Sequence, residues 1–227
     1  MLKTAIMVDG GFYQKRAQYL WGSMSPKDRA MELYKYCCRH LKDEHEEISL
    51  YRIFYYDCQP LSKKQFHPLT QRTVDLSKSD LFKWMNAFLD ELRSKRKLAL
   101  RLGKLAESQT NYILKPDVLK KLCRGVLEIK DLREEDFILD VTQKGVDMKI
   151  GLDISSMAHK KQVDQIVLIS GDSDFIPAAK HARREGIDFI LDPLWANIKP
   201  ELQEHIDGLK TLCPRPKNNS TQHEIEK

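Results

Sequence analysis

The sequence predicts an α/β protein, a three-layer Rossmann-like sandwich with a mostly parallel central sheet. Short apolar, β-branched runs recur along the chain, helical patterns separate them, and acidic residues stand where several of the predicted strands end. Strands that alternate with helices pair in parallel and are covered by helices on both faces. The 227 residues, of which 41% are apolar, suit one large domain of this kind.

The first half of the chain is predicted to hold three strands and two helices. Runs rich in β-branched and aromatic residues predict the strands. They cover residues 3–8 (the central strand), 48–56 and 97–102. Ser25, which is followed by Pro26, and Ser79 are capping residues that predict helices over residues 26–47 and 79–94. Residues 58–77 lack clear periodicity, so we expect a functional or poorly ordered loop.

The second half continues the alternation after an irregular stretch over residues 103–117. Helices are predicted over residues 116–123, 145–159, 175–185 and, weakly, 199–206. Strands are predicted over residues 137–141, 165–169, 187–191 and 209–212. Apolar residues three and four apart predict the helix over residues 145–159, and Gly186 is a typical residue to follow a helix. We expect one domain over residues 1–213 and a disordered polar tail over residues 214–227.

Composition excludes several classes of protein. No run approaches the roughly 18 apolar residues that a membrane span needs, and no secretory signal is visible, so we expect a cytoplasmic protein without a membrane partner. The five cysteines have no C-x-x-C spacing, which indicates reduced thiols and not a disulfide framework or a zinc site. The net charge of +5 suits a polyanionic partner once an acidic cluster is set apart.

Four aspartates are the candidate catalytic and metal-binding residues. Asp9 follows the first predicted strand, Asp172 and Asp174 follow the strand over residues 165–169, and Asp147 begins a helix. Ligand chemistry in an open α/β sheet gathers at the carboxyl ends of the strands. Carboxylates placed together there repel each other, and Mg²⁺ or Mn²⁺ offsets that repulsion because hard cations prefer carboxylate oxygens.

Each aspartate also has an ordinary structural interpretation. Asp9 before two glycines is typical of a turn, Asp172 or Ser173 would cap the following helix, and Asp147 would interact favourably with a helix dipole. The polarity of residues 170–174 exceeds what one cap requires, which favours a functional site there.

Candidate substrate-binding residues lie beside these acids in the sequence or near the end of the third predicted strand. Ser170 could hydrogen-bond a metal ligand or a phosphate oxygen, and the cations near the strand ends could hold substrate phosphates. These cations are Lys144, Lys149, Arg101 and Lys104. Asp153 is about 120° from Asp147 around the helix, so we expect a supporting or structural role for it. Asp140 is a weaker candidate still.

Three motifs together resemble the NYN domain, a PIN-like family whose bacterial branch is the LabA-like group. The motifs are Val8-Asp9-Gly10-Gly11-Phe12-Tyr13, Lys144-Gly145-Val146-Asp147-Met148-Lys149-Ile150-Gly151-Leu152-Asp153 and Ser170-Gly171-Asp172-Ser173-Asp174-Phe175. The resemblance spans residues 3–195 and implies a PIN-like form of the Rossmann-like sandwich and a Mg²⁺- or Mn²⁺-dependent nuclease that acts mostly on RNA. By position, its acidic residues correspond to Asp9, Asp147, Asp172 and Asp174.

The chain departs from the family at one position. Relatives often carry an asparagine shortly after the first Asp-Gly, where this chain has Gly11, Phe12 and Tyr13. The resemblance makes a metal-dependent endoribonuclease acting on single-stranded RNA the first hypothesis. The missing asparagine favours the alternative, a regulator that binds nucleic acid or protein without cleavage. A phosphatase that uses Asp9 as nucleophile would need a second acid at Gly11, which disfavours it. The sequence leaves the oligomeric state open and allows a homo-oligomer.

Overall fold

A computed structural model of the chain describes residues 1–105, 110–141 and 143–216. Most of the predicted tail, residues 217–227, lies outside the described residues. The strands are β1 (Leu2–Asp9), β2 (Ile48–Cys58), β3 (Lys64–His67), β4 (Arg72–Asp75), β5 (Leu98–Leu105), β6 (Asn111–Leu114), β7 (Phe137–Asp140), β8 (Gln143–Lys144), β9 (Gln165–Ile169), β10 (Asp188–Asp192) and β11 (Gly208–Leu209). The helices are α1 (Gly10–Trp21), α2 (Pro26–Arg39), α3 (Asp80–Arg93), α4 (Pro116–Cys123), α5 (Val146–His159), α6 (Ile176–Arg184) and α7 (Pro200–Gln203).

The central sheet confirms the predicted fold class. Its order is β11-β10-β9-β1-β2-β5-β8, with six parallel strands and β8 antiparallel to β5 at one edge. β1 lies in the middle, as the sequence predicts. Because the six strands are parallel, their carboxyl ends meet along one edge of the sheet, which is where α/β proteins bind ligands.

Two hydrophobic cores, one on each face of the sheet, show why β1 forms where it does. Ala5 and Met7 belong to a core that includes buried residues of α5 and α6, whereas Ile6 and Val8 belong to a core with residues of α1, α2 and α3. Successive side chains of a strand point to opposite faces, so a strand buried on both sides reads as a continuous apolar run. The same reason explains β9, whose five residues are all buried.

Two antiparallel ribbons stand outside the central sheet. One is the β3–β4 hairpin, within the segment predicted as a loop, and the other pairs β6 with β7. His67 joins them, with its ring centroid 4.5 Å from that of Tyr112 and 5.2 Å from that of Phe137. The strand predicted over residues 137–141 therefore exists, but it lies outside the central sheet because its partner is β6.

The predicted helices differ from the structure in two places. Helix α1 was not predicted, since the two glycines at its start have low helix propensity; Asp9 caps it, and Tyr13 and Ala17 bury one side. Helix α2 ends at Arg39 and not at residue 47, because the charged residues 42–47 are exposed and have no core to cover. Within the described ranges, no helix has the length and apolar character that crossing a membrane requires.

Candidate active site at the carboxyl edge of the sheet

Asp9 occupies the centre of the carboxyl edge, at the last residue of the central strand. One carboxylate oxygen, Oδ1, accepts a hydrogen bond from the Phe12 N–H at 3.1 Å and so caps α1. The other oxygen, Oδ2, accepts a hydrogen bond from the Ser170 hydroxyl, at 3.1 Å. The strand, the helix and the neighbouring motif therefore fix the position of this carboxylate.

The second acidic motif begins where β9, the neighbour of β1, ends. Ser170 is fully buried, and its Oγ accepts a hydrogen bond from the Asp172 N–H at 3.2 Å. Asp172 in turn accepts a hydrogen bond from the Asp174 N–H at 3.0 Å, which caps a short 3-10 turn. The capping role considered for Asp172 is therefore present. Ser170 couples the two acidic motifs, because it bonds both Asp9 and the backbone of Asp172.

Asp147 enters the site from α5, which follows β8 after Gly145 in a left-handed conformation (φ 78°). Burial raises the pKa of Asp147, and repulsion from Asp172 and Asp174 raises it further. Burial also raises the pKa of Asp9; the hydrogen bonds from Phe12 and Ser170 oppose this rise, and repulsion from Asp147 and Asp172 adds to it. The carboxylates from three separate elements therefore act on one another electrostatically.

The donor set of this cluster suits a hard divalent cation, since it consists of carboxylate oxygens. Among the described residues, however, no three His, Cys, Asp or Glu side chains stand close enough to hold one metal ion together. Asp147, Asp172 and Asp174 are exposed, so their side chains have rotamers open to them that the buried core lacks. The chemistry of these residues therefore fits Mg²⁺ or Mn²⁺.

The four candidate cations have different surroundings. Lys104 and Lys144 are cross-strand partners on β5 and β8, and both are exposed. The Lys149 ammonium donates to the Leu102 carbonyl at 2.6 Å. The Arg101 guanidinium forms a two-point ion pair with Asp153, with Nε 2.7 Å from Oδ2. A contact between Arg101 and substrate stays a prediction, and Arg101 already has Asp153 as its acidic partner.

The structural role expected for Asp153 is consistent with these contacts. Besides Arg101 on β5, its carboxylate accepts a hydrogen bond from the Tyr56 hydroxyl of β2 at 2.8 Å. Asp153 therefore holds α5 against two strands of the sheet, on the side of the helix turned away from Asp147.

Comparison with known proteins places the chain in a family. The family model of the NYN domain matches residues 68–208, more than half of the chain. The chain belongs to the NYN domain family. This family is part of the PIN-like nuclease superfamily, which supports a nuclease role. Asp147, Asp172 and Asp174 lie within the matched residues; Asp9 precedes them, on the strand at the centre of the same sheet.

Two further comparisons add no function to this NYN domain. A solved structure of a protein of unknown function from Vibrio parahaemolyticus is 14% identical, covers 93% of each chain and has a TM-score of 0.46. No curated protein matches the chain.

Asp57 is an acidic residue of this NYN domain that sequence reasoning missed. It is buried near the end of β2 and accepts hydrogen bonds from the Tyr55 hydroxyl at 2.9 Å and the Cys58 N–H at 2.7 Å. A Cβ added to Gly10 would lie 2.5 Å from the Tyr56 carbonyl oxygen and 2.7 Å from Asp57 Oδ2, so only glycine permits this approach. The signal was an acid after an apolar, aromatic run, the same pattern that identified Asp9.

Phe12 is one of the three residues, Gly11 to Tyr13, that follow the first Asp-Gly. Its ring contacts the second acidic motif, because a Cβ added to Gly171 would come within 2.9 Å of Phe12 Cε2. The position therefore supplies an apolar contact that supports the loop of Asp172 and not a polar group for a ligand.

Proposed function

We propose that this NYN domain is a metal-dependent endoribonuclease that hydrolyses phosphodiester bonds of single-stranded RNA. The observation that carries the proposal is the convergence of Asp9, Asp147 and Asp172 from three elements at the carboxyl edge, where burial, and then repulsion between neighbouring carboxylates, raise the pKa of Asp9 and Asp147. Such a concentration of negative charge is costly without a cation. We propose that the catalytic domain spans residues 1–213, since β1 and β11 belong to one sheet.

Asp9, Asp147, Asp172 and Asp174 would hold Mg²⁺ or Mn²⁺. A metal bound by these residues would supply a water molecule of lowered pKa and would offset charge on the scissile phosphate. Attack of water in line with the 3′ oxygen would break the P–O3′ bond, and the 3′ oxygen would take up a proton, which leaves a 5′-phosphate and a 3′-hydroxyl. Ser170 would keep Asp9 and the Asp172 loop in register through its two hydrogen bonds.

The substrate backbone would lie along the β5–β8 edge, beside the acidic cluster. Lys104 and Lys144 face each other there across an antiparallel pair. Like charges directly opposite each other destabilise a sheet, and a phosphate between them would relieve that repulsion. Lys149 lies in the first turns of α5, five residues after Lys144, and adds a third cation near this edge.

Cleavage of end-labelled RNA tests the proposal. Single-stranded RNA, its duplex and single-stranded DNA of the same sequence are incubated with Mn²⁺, Mg²⁺ or EDTA. Asp172→Asn should lower the rate by about 100-fold or more, since even residues that only support metal ligands contribute up to about that factor. It keeps the cap of the 3-10 turn, because asparagine caps about as well as aspartate.

Asp90→Asn is the matched control, since Asp90 is exposed on α3 and pairs only with Arg93 among the ion pairs of the described chain. It should cleave at the wild-type rate. Cleavage that survives both EDTA and Asp172→Asn would refute the proposed site. Cleavage of duplex as fast as single strand would refute the proposed substrate.

One observation favours a second candidate, a regulator that binds RNA without cleaving it. Among the described residues, no three His, Cys, Asp or Glu side chains form a group that could hold one metal ion, and Gly11, Phe12 and Tyr13 stand where relatives often carry an asparagine. RNA binding with no product under any metal would support this candidate.

A further inference from the structure

A tight turn with an unusual sequence follows β10 on the carboxyl edge. The Ala196 N–H donates to the Pro193 carbonyl at 2.8 Å, and the two residues between them have positive φ, 46° at Leu194 and 62° at Trp195. Two central residues with positive φ define a type I′ turn, which strongly favours glycine, asparagine or aspartate. A leucine and a tryptophan at these positions therefore need a reason outside the turn itself.

Leu194 has such a reason in its packing. Its side chain is fully buried and its N–H donates to Asp192 Oδ1 at 2.9 Å. Its carbonyl accepts two hydrogen bonds from the Arg16 guanidinium, at 3.1 and 2.7 Å. The core and three hydrogen bonds therefore hold the turn in its strained conformation.

Burial in the core does not explain Trp195, because 39% of its surface is exposed. Its indole N–H donates to the Cys213 carbonyl at 2.9 Å, which fixes the orientation of the ring while part of the ring stays in solvent. Strained backbone that the surroundings hold in place is concentrated at ligand-binding sites. The turn presents a large aromatic ring in one orientation at a surface where burial does not account for it.

The surroundings of the ring are cationic and aromatic. The Arg215 guanidinium lies 5.6 Å from the centroid of the Trp195 ring. Arg16, which holds the turn, lies 4.9 Å from the centroid of the Tyr19 ring, and Tyr19 is 44% exposed. Exposed aromatic rings interleaved with arginine are the composition of surfaces that bind single-stranded nucleic acid, where the rings stack on bases and the cations follow the backbone.

The turn lies close to the acidic cluster. Asp192, just before the turn, is the cross-strand partner of Ile169, just before Ser170. The segment after the turn returns to the acidic motif, where the Lys199 ammonium donates to the Ser173 hydroxyl at 3.1 Å. Arg16 follows Asp9 by seven residues along α1, or about 10 Å.

We propose that Trp195 is a stacking platform for a base of the single-stranded RNA substrate, with Arg16 and Arg215 beside the strand. This inference rests on the proposed function and adds to it the residue that selects single strands. A base inside a duplex has no free face, so only an unpaired nucleotide can stack on the ring.

Intrinsic fluorescence tests the inference separately from cleavage. The Asp172→Asn variant is titrated in EDTA with a short single-stranded RNA and with its duplex, and binding is followed in parallel by anisotropy of a label on the RNA. The single strand should quench tryptophan emission, and the duplex at equal occupancy should not. Trp195→Phe in the same background should abolish the quenching and keep the affinity, because phenylalanine can still stack.

Trp195→Ala should weaken binding of the single strand by about 5- to 150-fold, the effect expected for loss of one stacked base. Trp84→Phe is the matched control: Trp84 stacks on Phe88 and bonds the Met24 carbonyl, so its loss should leave the quenching in place. RNA that binds without quenching, or that binds Trp195→Ala as tightly as its parent, would overturn the inference and leave the surface to a protein partner. If RNA quenches the emission but the wild-type protein never cleaves it, the stacking role of Trp195 would be upheld and the proposed nuclease activity would be refuted.

Discussion

Replacing Asp9 with asparagine should make this NYN domain more stable near neutral pH while it removes activity. Burial, and then repulsion from Asp147 and Asp172, raise the pKa of Asp9. An acid with a raised pKa in the folded state favours folding fully below its unfolded pKa, and this contribution is lost as the pH rises through the folded pKa. The wild-type chain at pH 7 therefore carries a destabilising charge that asparagine lacks.

The other interactions of Asp9 survive this substitution. Asparagine caps helices about as well as aspartate, so Oδ1 can still accept the Phe12 N–H. The amide nitrogen can donate to Ser170 Oγ, which reverses the direction of the present hydrogen bond. Single stabilising substitutions are commonly worth about 0.5–2 kcal/mol. At about 2–4 °C for each kcal/mol in a protein of this size, the Tm should rise by about 1–8 °C.

Thermal unfolding in EDTA from about pH 4 to 8 measures this effect. The gap between Asp9→Asn and wild type should widen as the pH rises. Asp9→Ala is the informative comparison, because it removes the charge and also the cap, which costs about 1 kcal/mol; it should be less stable than Asp9→Asn at every pH. An Asp9→Asn protein that is less stable than wild type above pH 7, or a gap that does not change with pH, would refute the reasoning.

Two further predictions concern the neighbours of the acidic cluster. Lys144→Gln should stabilise the domain by about 0.2–1 kcal/mol in urea unfolding, because it removes the like charge opposite Lys104. It should also reduce the slope of log K for single-strand binding against log salt concentration by about 0.7. An unchanged slope would place the phosphate elsewhere. Gly171→Ala should lower the free energy of unfolding by about 1–3 kcal/mol and lower the cleavage rate, because the Phe12 ring must move. Gly151→Ala, whose Cβ would meet nothing within 4 Å, should instead stabilise α5 by up to about 1 kcal/mol. Equal effects of the two glycine substitutions would show that the Phe12 contact is unimportant.

The elements that the sequence predicted best are those with a single strong signal. Strands β1 and β9 are buried on both faces, so their apolar runs are legible in the chain. Helix α5 shows a clear apolar stripe. By contrast, α1 begins with two glycines, and its stability depends on the Asp9 cap and on a core supplied by distant residues. The place of β7 depended on its partner β6, which no local pattern identifies.

By itself, the sequence determined the fold class, the strand that lies at the centre and the acids that stand at strand ends, because hydrophobic periodicity and polar residues after apolar runs are local features. Only the tertiary structure decided which groups act together. The adjacency of β1 and β9 brings Ser170 to Asp9, the crossing of α5 over β5 pairs Arg101 with Asp153, and a type I′ turn presents Trp195. The contacts of Ser170 and of Arg101 join residues far apart in the chain, and the turn is held by the distant Arg16. The energies of these contacts depend on burial and distance, which local sequence patterns do not contain.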